Sequence, residues 1–204
     1  MPDFLAVDTS SKYLTVLAVK GQRTILHHLE ECAMRHSVIL MDEIDRTLGE
    51  AGLSPDKCDF FAAVTGPGSF TGIRIGLSTI KGFCLAMQKP GLGVTSFDLI
   101  AYNVAENAPF GVAIDAMHGN YYFAAYNADG AQFISPCYLS GGQVESYGLA
   151  LYGFEDLPLK NYKKLNAGDC LQGAVLTALA NGGSGLHALY VRKSQAEEAR
   201  VDHS

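Results

Sequence analysis

The sequence predicts an α/β protein of two lobes, the second reduced relative to the first. Three observations carry the prediction. Three strand-like segments open the chain and are followed by a segment with helical periodicity. Strands and helices then alternate, which indicates a partly parallel sheet covered on its faces. A strand–turn–strand pattern then recurs, with Asp115 standing 107 residues after Asp8.

Each element has its own warrant. Phe4–Asp8 is apolar and ends in Thr9-Ser10-Ser11-Lys12, which has turn chemistry. Tyr13–Val19 and Thr24–Leu29 are rich in β-formers and complete an antiparallel meander. From Ser37 the spacing changes: Met41, Ile44, Leu48 and Ala51 recur every three or four residues before Gly52, so a helix is expected. Cys58–Thr65 reads as a buried strand broken by Gly66-Pro67-Gly68. Ser69 or Thr71 then caps a helix to about Met87. Gly91–Thr95 is a short strand, and Ser96 is placed to cap a helix reaching about Glu106. Val112-Ala113-Ile114-Asp115 restarts the pattern of Leu5-Ala6-Val7-Asp8, which divides the chain into lobes at 1–107 and 108–204. Strands at Tyr121–Tyr126, Ala131–Leu139 and near Leu149–Gly153 follow, then a helix near Cys170–Ala180.

Composition narrows the function. Hydrophobic residues at 48% and charged residues at 18% are ordinary for a globular protein. A net charge of −6 argues against unaided grip on nucleic-acid backbones. The five cysteines are scattered and never paired at two-residue spacing, unlike a disulfide framework or cysteine-rich zinc site. No basic, apolar leader pattern and no stretch long enough to span a bilayer is present, so a cytoplasmic, reduced setting is expected.

Few segments offer chemistry. Asp8 with Ser10 can hold a phosphate or a metal-bound water; the same Asp can instead close an Asx-turn. Gly66 and Gly68 lead from a strand into a helix, a geometry that suits anions or simply a tight turn with glycines for helix–helix contact. The Gly-Lys-Ser/Thr ending of a P-loop is missing. No histidine pair has helical metal-ligand spacing, His36 reads as capping or packing, and Ser69 lies in no nucleophile elbow. No catalytic residue and no metal site is assigned. Both long helices carry apolar residues beyond a single stripe, which needs either a further layer of the same chain or a partner. A partner interface through Leu40, Met41, Ile44, Leu48, Ile73, Leu77, Ile80 and Cys84 is the expectation.

Leu5–Ser10, His36-Ser37, Gly66–Arg74 and Tyr190-Val191-Arg192-Lys193 stand in the order of the TsaB (YeaZ) family, which the chain resembles closely in its first half and loosely in its second. The resemblance implies the two-lobed actin-like/sugar-kinase (ASKHA, ribonuclease H-like) fold. It implies a non-catalytic subunit of the machinery that makes N6-threonylcarbamoyladenosine in tRNA. The partners implied are a catalytic TsaD-like relative, a TsaE-like ATPase and, without the relative, a second copy. Contact with tRNA would be indirect, no resident cofactor is expected, and a nucleotide could sit at the subunit boundary. The family's catalytic relative holds a metal through two histidines; Ser96 and Ile100 stand at those places here. A phosphotransferase or ATPase using the fold's cleft is the rival reading, and a peptidase a weaker one.

Overall fold

The computed structural model describes residues 1–32 and 34–191. Arg192 and Lys193 of the terminal motif therefore lie outside the described residues. The strands are β1 (Phe4–Asp8), β2 (Leu14–Lys20), β3 (Arg23–Leu29), β4 (Phe60–Val64), β5 (Gly91–Val94), β6 (Phe110–Asp115), β7 (Asn120–Tyr126), β8 (Gln132–Ser140), β9 (Ala150–Gly153) and β10 (Tyr162–Lys164). The helices are α1 (His36–Ala51), α2 (Phe70–Met87), α3 (Ser96–Ala101), α4 (Gly141–Ser146) and α5 (Leu171–Ala180).

Two five-stranded sheets share one plan. Their orders are β3-β2-β1-β4-β5 and β8-β7-β6-β9-β10, each an antiparallel meander extended by two parallel strands. This is the doubled architecture that the sequence predicts. The duplication is not gap-free, however. Asp8 pairs with Thr15, seven residues on, whereas Asp115 pairs with Tyr121, six on. The second hairpin turn is thus one residue shorter.

Side chains alternate across the first sheet with period two. Leu5, Val7, Val16, Phe61 and Ala63 face α1 and α2, while Phe4, Ala6, Leu17, Ala62 and Val64 face the molecule's centre. There they join Phe97 and Ile100 of α3, Leu171 and Val175 of α5, and Phe110, Val112 and Ala124 of the second sheet in a single core. The outer face of the second sheet has lighter cover: Tyr121, Phe123 and Leu151 pack under Val144 of the six-residue α4.

Most boundaries follow the sequence reading, with two differences. Thr95, not Ser96, caps α3, accepting a hydrogen bond from Asp98 N at 3.0 Å, and the helix stops at Ala101 rather than near Glu106. The helix α4 and strand β10 carry no signal long enough to read. No described helix is long and apolar enough to cross a membrane.

Candidate functional site

The turn after β1 is folded onto the start of α2. Asp8 is 6% exposed, and its Oδ1 accepts from Ser10 N at 2.8 Å, so the Asx-turn anticipated from sequence is formed. Thr9 Oγ1 donates to Gly72 O at 2.7 Å, and Ser69 N donates to Ser10 O at 2.6 Å. Three glycines make this approach feasible. A Cβ on Gly68 would overlap Ser10 O, one on Gly72 would overlap Thr9 O, and one on Gly76 would overlap Thr9 Oγ1. The glycines thus serve close contact, but with the hairpin tip rather than with another helix. Gly66 has φ 97°, open to glycine at little cost, and its carbonyl accepts from Ser96 N at 2.8 Å. Ser69 caps α2 by accepting from Gly72 N at 3.2 Å.

Burial is the main influence on the Asp8 carboxyl and pushes it above the ordinary range; its hydrogen bonds to Ser10 and the nearby His36 and His28 oppose this. His36 is 1% exposed and its Nε2 donates to Tyr13 O at 2.9 Å. It is therefore a packing residue of the first turn of α1, with Arg35 in the capping position.

Beside this turn lies a cleft of about 500 Å³ between the two sheets. Ser10, Gly68 and Ser69 line one wall, Ser96 and Ile100 the floor, and Asp115, Met117 and Glu155 the far side. Asp115 accepts from Met117 N at 2.9 Å. Burial, then the Asp115 charge, pushes the Glu155 carboxyl up. Lys12 reaches the cleft but also pairs with Glu31 at 3.5 Å. The cleft therefore brings together Ser10 and Gly68 but leaves the Asp8 carboxylate behind the turn. Lys12 ends the turn segment after β1 and Glu155 belongs to no motif; only folding brings the two within one cleft.

Ser96 and Ile100 in the cleft offer no imidazole to a transition metal. Ser96 is 4% exposed, its Oγ donates to Ser10 Oγ at 3.4 Å, and Ile100 offers only hydrocarbon. Among the described residues no three His, Cys, Asp or Glu side chains are grouped as metal ligands. Burial pushes the thiols of Cys58 and Cys170 up to about 12, so neither presents a thiolate at neutral pH.

The expected interface requires correction. Leu40, Ile44 and Leu48 of α1 and Ile73, Leu77 and Ile80 of α2 are all buried in the core against the first sheet. Two helices share that face, so each needs a wide apolar arc, and the surplus is absorbed within the chain. Of the eight residues only Met41 is exposed, while Cys84 is partly buried. Val38 and Leu85, at 72% and 83% exposure, join Met41 and Phe70 as large apolar groups that α1 and α2 present outward. At the start of α2, the Arg74 guanidinium lies 3.6 Å from the Phe70 ring centroid and donates to Tyr190 Oη at 3.2 Å. Two segments of the family pattern thereby meet at Phe70, which itself lines the cleft.

The family model described as TsaD: tRNA N6-adenosine threonylcarbamoyltransferase matches residues 28–160. The tRNA threonylcarbamoyladenosine biosynthesis protein TsaB of Escherichia coli is 33% identical over 61% of this chain and 55% of its own length. The protein of the same name from Bacillus subtilis is 27% identical over 60% of this chain and 54% of its own. The matched region is thus little more than half of these curated relatives. A solved structure from Pseudomonas aeruginosa, described as an uncharacterized protein with similarity to peptidase YEAZ, superposes with TM-score 0.76 at 26% identity, covering 94% of this chain and 100% of that one. With the doubled sheet, the buried Asp8 turn and these matches together, the chain belongs to the family this model describes and, within it, to the TsaB (YeaZ) proteins.

Proposed function

We propose that the chain is a non-catalytic structural or activating subunit in the formation of N6-threonylcarbamoyladenosine in tRNA, working in the cytoplasm and paired with a TsaD-like catalytic relative. The observation that carries the reading is the closed turn at Asp8. The carboxylate that could hold a phosphate or a metal-bound water is instead buried and bonded to Ser10 N. Thr9 and the Ser10 carbonyl are committed to α2. The equivalent position in the second half, Asp115, has Ala116 and Met117 beside it and lacks adjacent hydroxyls. Ser96 and Ile100 in place of the relative's histidines support the same conclusion, because neither side chain is an imidazole ligand.

Partner binding is assigned to the outward faces of α1 and α2, through Val38, Met41 and Leu85. The same faces would serve a homodimer in the relative's absence, and a TsaE-like ATPase and a boundary nucleotide complete the proposed assembly. The test is reconstitution. The chain alone should release no phosphate from ATP and transfer nothing to tRNA, yet should be required when the catalytic relative and the ATPase are supplied. Phosphate release by the purified chain would favour the phosphotransferase reading instead.

A further inference from the structure

A second cavity, of about 610 Å³, shares no lining residue with the cleft. It opens where α3, α5 and the β7–β8 turn meet. Among the described residues, Asp98 and Asp129 are the only charged groups that line it, and no Lys, Arg or His does. Asp98 Oδ2 accepts from Thr95 Oγ1 at 2.6 Å, and Asp129 Oδ1 accepts from Ala131 N at 2.9 Å. Each carboxylate keeps its other oxygen clear of protein partners among the described residues.

Two aromatic rings, Tyr102 and Tyr126, stand among its mostly small lining residues. Tyr126 is 3% exposed and stacks on Phe110 with ring centroids 5.5 Å apart. The Tyr102 ring lies directly on α5, where a Cβ on Gly173 would overlap it. Burial and then the Asp98 charge push the Tyr126 phenol up, so the negative field extends to the cavity wall. An anionic ligand would meet carboxylates with no compensating cation, whereas a cation gains from both carboxylates and from the ring faces.

We propose that this cavity binds a compact organic cation, an alkylammonium or guanidinium group. Asp98 and Asp129 take the charged head, and the Tyr102 and Tyr126 rings flank its carbon stem. The site is independent of the proposed scaffold role, so either can fail alone.

The test is an amide NMR titration of the full chain with n-butylammonium chloride and with spermidine, and with sodium butyrate as the control of matched shape and opposite charge. Saturable shifts are expected at Ala101, Tyr102 and Asn181 with both cations, and none with butyrate. A D98N/D129N chain should bind at least tenfold more weakly, since asparagine keeps the oxygen that accepts from Thr95 or Ala131 but loses the charge. If the double variant misfolds, D129N alone, at an exposed turn, should still weaken binding at least threefold. Absent shifts, equal shifts with butyrate, shifts centred on Asp115 and Glu155, or unchanged affinity in the folded variant would overturn the assignment.

Discussion

The two hairpin tips descend from one pattern and have reached different ends. At Asp8 the turn is drawn into the molecule and fastened to α2 through Thr9, Ser10 and three glycines. At Asp115 the turn is one residue shorter and stays at the cleft, with Met117, His118 and Gly119 all at positive φ and Met117 63% exposed. The difference lies in what covers each sheet. The first has a long helix, α2, between β4 and β5 to receive the tip, whereas between β9 and β10 there is only a loop. A tip with no helix to dock on remains a surface turn. Repetition of a local sequence thus preserves the strands, while the neighbouring element decides what the turn between them can do.

That contrast can be broken from several sides, and the largest effect belongs to the helix that holds the first tip. Ile80→Asp should unfold the chain or cost more than about 3–5 kcal/mol in urea titration, because it strands a charge in the core. Leu48→Asp should behave similarly. Gly72→Ala should follow at about 1–3 kcal/mol, the scale of overpacking, because the new Cβ meets the Thr9 carbonyl. Gly119→Ala in the second tip has open space around its Cβ and bears only its positive φ, so about 1 kcal/mol is expected.

Asp8→Asn is expected to act in the opposite direction. With its folded pKa raised, the ionised Asp8 disfavours the native state once pH climbs above the unfolded carboxyl value of 3.8. Asparagine keeps the acceptor for Ser10 N, so thermal melts at pH 7 should rise by a few degrees and the gain should vanish as pH falls below that value. Asp115→Asn, at a half-buried turn, should leave the melt nearly unchanged. A gain at Asp115 equal to that at Asp8 would erase the distinction between the tips. Arg74→Ala should have the smallest effect, within about 1 kcal/mol, since its partners Phe70 and Tyr190 are themselves half exposed.

The fold was largely legible because its signals are local. The apolar runs at Phe4–Asp8 and Tyr13–Val19 and the periodicity of Met41, Ile44 and Leu48 each lie within a short window, and the two copies that Asp8 and Asp115 end are each read from four residues. Strand β10 escaped notice because Tyr162-Lys163-Lys164 is three residues long and mostly polar, and α4 because Gly141-Gly142 opens it without apolar periodicity. The candidate site was half legible. The Asx-turn at Asp8 was readable from the side chain alone, but the target of Gly72 and Gly76 was not, since a glycine records that something comes close and not what. The interface residues failed for a related reason. Periodicity shows how wide an apolar stripe is, but not that a second helix lies alongside and uses the excess, which is why Leu40, Ile44 and Ile80 proved to be core.

The most direct test is calorimetric titration of a TsaD-like relative with the native chain and with a Met41→Asp/Leu85→Asp variant whose melt is shown to be unchanged. A scaffold that binds through the outward faces of α1 and α2 predicts tight binding by the first and at least a hundredfold loss in the second. Equal affinity in both, or no binding by the native chain, would contradict the account.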